Sequence, residues 1–190
     1  ATPALAARVA QAPGVRPVVH GWAHANHEPP GAKRCEFGPT RDAAAALEDA
    51  GRGLTRLRGL FGDRLLPVFV PPWNRIAPDV AAGLRGLGYA ILSAAPGATP
   101  PVAGLARLDR DLDPIDWRGT RSALPPRRLA ILLAAALADR RATPAPFGLL
   151  THHRAHDAAV WDVVGAILDR LAPIAEPLDL ATYPCPEPAP

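Results

Sequence analysis

Short apolar runs rich in β-branched and aromatic side chains alternate along this chain with stretches of helical spacing. This alternation constrains the fold more than any other feature, because strands separated by helices pair in parallel and bury their sheet between helical layers. Residues 15–19, 65–70, 89–94, 105–113 and 147–151 read as strands, and 177–183 as a last short one. Helices are expected over 4–12, 41–62, a segment opened by Pro78, 125–141 and 157–171. The helix at 41–62 carries Leu47, Leu54, Leu57 and Leu60 near helical spacing, weakened around Gly51 and Gly53. The one at 157–171 is amphipathic through Val160, Val163, Val164, Ile167 and Leu168. The expectation is a parallel α/β sheet or barrel.

The 190 residues suffice for one domain over 1–183, with a Pro-rich tail at 184–190 expected to be disordered. An apolar content of 48% with a mean hydropathy of +0.03 is that of a soluble globular protein. No apolar run approaches the roughly 18 residues that span a bilayer, and residues 129–138 read as a buried helix. The net charge of +3 comes almost wholly from arginines, Lys33 being the only lysine. They are dispersed among acidic neighbours rather than striped with aromatics, which argues against a nucleic-acid partner. Cys35 and Cys185 show no CxxC spacing, which argues against a disulfide framework or structural zinc and favours a reducing compartment, the cytoplasm. The chain contains no Met, so Ala1 is not expected to be where translation begins.

The six histidines fall in two clusters, His20, His24 and His27, then His152, His153 and His156. His20 and His24 follow the first expected strand, and a helical turn there would set both rings beside one ion at about 2.0–2.1 Å. His27 reads equally as an outer hydrogen-bonding group or an exposed loop residue. HExxH spacing is excluded because Gly21 follows His20, and HxxEH because Glu28 follows His27 rather than preceding it.

Three further clusters follow expected strands. "FVPPWNRI" reads as a rigid turn whose Trp73 either plugs the core or walls an active site and offers its N–H to an oxyanion. "DLDPIDWRG" sets Asp113 and Asp116 beside Trp117, and is equally a capped helix start. "FGLLTHH" delivers His152 to a strand end, where a carboxylate such as Asp116 would orient it for general-acid work. Carboxyl ends of parallel strands are where chemistry collects in such folds.

In this order, "HGWAH", "VPPWN", "DPIDW" and "LTH" resemble the motifs of the polysaccharide deacetylases, the NodB-homology or carbohydrate esterase family 4 enzymes. The wording is similar to a bacterial subgroup, and the motifs run across essentially the whole length. The resemblance implies a distorted (β/α) barrel and a divalent metal, most often zinc, held by an Asp and two His. His20 and His24 would be the histidine ligands, His152 the general acid, and Asp116 its orienting partner. Trp73, Trp117, Pro72 and Arg75 would bind the acetylated carbohydrate substrate.

The chain departs from the family pattern where Gly21 replaces Ser or Thr, Val70 replaces Arg, and Asn74 replaces Gly. Arg75 would supply the charge that Val70 lacks. No Asp pair precedes "HGWAH", so the base and third ligand are missing and the first barrel strand is expected upstream of Ala1. The leading expectation is a metal-dependent deacetylase, incomplete as given and inactive alone. The alternatives are a non-catalytic carbohydrate-binding relative and a metal-dependent amidohydrolase acting on a small amide.

Overall fold

A computed structural model describes residues 1–183, so the expected disordered tail at 184–190, with Cys185, lies outside the described residues. The described chain divides into two compact units, residues 1–109 with 179–183, and Arg110–Leu178. Each unit has buried clusters of its own.

In the first unit, α1 (Pro3–Ala10) and α2 (Ala43–Phe61) precede β1 (Val68–Phe69), α3 (Pro78–Gly83), β2 (Ile91–Leu92) and β3 (Ala106–Arg107). The strands form a parallel sheet in the order β1-β2-β3, and Val19 extends it through a parallel bridge to Phe69. The protein is therefore mixed α/β with a small parallel sheet, as the alternating pattern predicts. Strands are shorter than expected, and proline is one reason. Pro17 and Pro67 sit inside the runs at 15–19 and 65–70, and each can accept a ladder bond but donate none. The Pro17 carbonyl accepts from Leu66 N and the Pro67 carbonyl from Ala90 N.

Alternation along each strand sorts the core into two faces. Val19, Phe69 and Leu92 point to the face covered by Ala46, Ala50 and Leu54 of α2 and Val80 and Ala81 of α3. Val18, Val68, Ile91 and Ala106 point to the other, where Leu180 and Tyr183 pack. Phe37, Phe69 and Tyr89 stack edge-on at centroid distances of 5.0 and 5.1 Å. The buried Tyr89 hydroxyl donates to the Ala50 carbonyl, and burial pushes its pKa up. Asp42 caps α2 by accepting from Ala45 N. The helix runs unbroken through Gly51 and Gly53. A Cβ on Gly53 would lie 3.2 Å from the Gly21 carbonyl and from Val19, so glycine lets α2 press against the first strand's end.

The second unit holds α4 (Pro126–Ala142) and α5 (Ala158–Leu171), with Leu112 and Leu149 joined by a parallel bridge. Asp157 caps α5, whose Val160, Val164 and Ile167 are buried. The buried helix expected at 129–138 is corrected, since Leu129 alone of α4 is buried while Ile131 is 60% exposed. Only Leu129 and the partly buried Leu133, one turn apart, join this core. The last short strand expected at 177–183 is likewise a turn, in which Asp179 accepts from Ala181 N. No described helix is long and apolar enough to cross a membrane.

Candidate functional site

The candidate side chains gather at strand ends in each unit. In the first, the chain leaves Val19 and turns at once. His20 Nδ1 donates to the Val70 carbonyl at 2.8 Å, tying one strand end to the next. That bond places a proton on Nδ1, the contact that outer-shell carbonyls make with ligating histidines. The His20 and His24 ring centroids lie 5.3 Å apart, and His24 packs on Trp73 at 4.2 Å.

These positions require unusual backbone. His24, Trp73 and Asn74 all have φ near +55°, in the left-handed region that non-glycine residues rarely occupy. Such residues cost of order 1–3 kcal/mol each and persist only where their surroundings hold them. For His24 the holder is Glu36, which is fully buried. Its Oε1 accepts from Trp22 N at 3.2 Å and Ala23 N at 2.7 Å, and its Oε2 from His24 N at 3.1 Å. Three hydrogen bonds from consecutive backbone N–H groups to one side chain hold the turn in that conformation. Gly21 completes the turn at φ +71°, where a Cβ would lie 2.3 Å from Glu36 Oε2 and 2.8 Å from Pro72. Glycine at this position follows from the crowding and the positive φ together.

The remaining expected residues are spread more widely. Pro72 is fully buried beneath the turn. The Arg75 guanidinium donates to the Arg34 carbonyl and lines a pocket of about 320 Å³ with Glu28, Lys33, Cys35 and Ile76. His27 is exposed, and its backbone N–H donates to the Cys35 carbonyl. Asn26 closes this loop, its Oδ1 accepting from Glu28 N and Cys35 N.

In the second unit, Asp113 follows Leu112, and His152 lies three residues beyond the bridged Leu149. The two strand ends meet in a hydrogen bond between His152 Nε2 and Asp113 Oδ2 at 3.1 Å. Trp117 Nε1 donates to the same oxygen at 2.8 Å, and its ring stands edge-on to His152 at 4.9 Å. Burial pushes the Asp113 pKa up, but hydrogen bonds from His152, Trp117 and Ile115 N outweigh it and hold the carboxyl below its ordinary value. The partner expected for His152 was Asp116, and here the structure differs. Asp116 sits in the turn closed by the Ile115–Ala123 bridge, and its Oδ1 accepts from Gly119 N. A carboxylate in the turn is used up by that turn, whereas one at the strand end reaches the neighbouring strand.

His156 Nε2 accepts the backbone N–H of His152 at 2.9 Å, and its ring packs on Trp161 at 4.4 Å. Burial and then the nearby His152 lower its pKa, favouring the neutral ring that this bond needs. His153 is exposed.

No family model, curated protein or solved structure matches this chain. The site stands on its own geometry. Two imidazoles are the ligand type that a zinc-like ion takes, and a backbone carbonyl on His20 is the outer contact such ligands make, so these side chains would supply at most two coordination positions. Among the described residues no group of three His, Cys, Asp or Glu side chains is gathered around one such position. Of the acidic residues near strand ends, Asp109 pairs with Arg107, Asp111 with Arg140, and Asp113 with His152.

Glu36 and Asn26 were missed by sequence reasoning. Glu36 left a signal, an acidic residue amid the buried Cys35, Phe37 and Gly38. Asn26 left none beyond its place between two histidines.

Proposed function

We propose that this chain is a metal-dependent hydrolase of the polysaccharide-deacetylase kind, acting on N-acetyl groups of a carbohydrate. The observation that carries the reading is the Asp113–His152 pair, braced by the Trp117 indole at the ends of two parallel segments. An amide has a poor leaving group, and a histidine held by a carboxylate can protonate the departing amine. His152 fills that role, Asp113 orients it, and the 43% exposed Trp117 offers an apolar wall for an acetyl methyl. In the first unit, His20 and His24 would hold the divalent ion, zinc foremost, beside Trp73. Bound there, the ion supplies Lewis acidity to an acetyl carbonyl and to water. Pro72, being buried, shapes the Trp73 turn from beneath, and Arg75 serves the adjacent pocket. The distorted (β/α) barrel is the architecture this reading implies, and the parallel sheet supports it.

A hydrolytic water also needs a carboxylate base, and Asp109, Asp111 and Asp113 are already paired. These 190 residues alone are therefore expected to release no acetate. The test measures acetate from an N-acetylglucosamine oligomer with added zinc, using this chain and one carrying an added Asp-Asp strand ahead of Ala1. Turnover by the longer chain alone, reduced roughly 10²-fold by His152→Ala, is the expected result. Turnover that ignores His152 would overturn the reading. Oligomer binding without turnover in either chain would instead favour a carbohydrate-binding role, and turnover only of a small acetylated amine would favour an amidohydrolase.

A further inference from the structure

The oxygens of Glu36 are enclosed and occupied, so this residue is neither the missing base nor a third metal ligand. Oε1 already takes two N–H groups and Oε2 one, with no exposed surface left to the side chain. All three donors belong to consecutive residues of the loop that carries the histidines. Successive N–H groups converging on one point make an anion-binding concavity. Here the chain fills that concavity with its own carboxylate.

We propose that Glu36 is the positioning residue of the histidine loop, holding His24 in its left-handed backbone so that its ring stands beside His20. Two observations support this independently of the hydrogen bonds. His24 has φ +54° without the freedom of glycine. Gly21 is packed so closely on Glu36 Oε2 that the turn and the carboxylate fit only as a pair. The consequence for ion binding rests on reading His20 and His24 as ligands. The consequence for the loop does not.

The chemistry separates charge from reach. Glu36→Gln keeps the length but turns an NH2 group toward one of the three N–H donors. Glu36→Asp keeps the charge but draws it back by one methylene. If Glu36 acts by position, both variants loosen the loop; if only its charge matters, Glu36→Asp restores the wild-type behaviour.

The experiment pairs two readouts on the full chain. Amide hydrogen exchange by NMR follows Trp22, Ala23 and His24, and visible absorption follows cobalt(II) titrated into wild type, Glu36→Gln, Glu36→Asp and His24→Ala. Strong protection of the three amides in wild type is expected, with exchange at least about tenfold faster in both Glu36 variants. Cobalt affinity is expected to fall about tenfold in those variants and to vanish in His24→Ala. Amides that exchange at unstructured-peptide rates in wild type would overturn the inference whether or not any variant folds. So would Glu36 variants with unchanged exchange and unchanged cobalt binding, or full rescue by Glu36→Asp. Absence of cobalt binding in wild type would instead remove the metal reading, while the exchange rates still decide the role of Glu36.

Discussion

At the scale of single residues, one acidic side chain organises each strand-end cluster: Glu36 accepts from the His24 backbone in the first, and Asp113 holds the His152 ring in the second. His20 and His24 do come together, with ring centroids 5.3 Å apart, but not through the expected helical turn: Gly21 at φ +71° and His24 at φ +54° bring them there in an irregular loop. The carboxylate at His152 was not legible in the sequence, since Asp113 and Asp116 are both near Trp117 in sequence and only the turn at 115–123 separates their roles. Asp113 predicts a pH dependence. Its folded pKa lies below the ordinary 3.8, so the unfolded chain takes up its proton first as the solution is acidified. The stabilisation is complete above that ordinary value and is lost as pH falls through the folded one. Asp113→Asn should therefore flatten the fall in unfolding free energy below about pH 5, read from urea titrations at stepped pH. Gly21→Ala should cost at least about 1–2 kcal/mol, because an alanine must adopt φ +71° and meet Glu36 Oε2. Chemical denaturation checks this, and a cost near zero would mean that the turn can move away from Glu36.

Elements were readable where one periodicity acted alone. Helices α2 and α5 match their expected spans within about two residues, because cap and apolar stripe agree: Asp42 caps the one, Asp157 the other. Strand extent was less legible, since prolines inside apolar runs leave the hydropathy pattern intact while removing ladder donors. The burial of α4 could not be read either, as a run of Leu, Ile and Ala looks equally apolar on every side. This contrast yields a paired prediction. Leu92→Ala, emptying a fully buried position in β2, should destabilise by about 2–5 kcal/mol. Ile131→Ser on the exposed side of α4 should stay within about 0.5 kcal/mol of wild type. Thermal or urea unfolding distinguishes the two, and similar losses would place Ile131 in a core.

For the whole molecule, the α/β class was visible in the alternation of strands and helices, but the division into two units was not. Both units read as one continuous series, and the boundary at Asp109 falls inside a single expected strand. The histidine clusters lie in different units, so replacements should separate cleanly. His20→Ala or His24→Ala is expected to abolish zinc uptake in calorimetric titration, while His152→Ala leaves it unchanged; zinc following His152 would reassign the ligands. The chain leaves the first unit at Asp109 and returns at Asp179, where Asp179 pairs with Arg16 and Leu180 and Tyr183 cover one sheet face. On a ribosome residues 179–183 arrive only after the whole of the second unit. The sheet that carries His20 must wait, one face unsealed, until the entire second unit has been synthesised, so the second unit is free to fold first although it is encoded later.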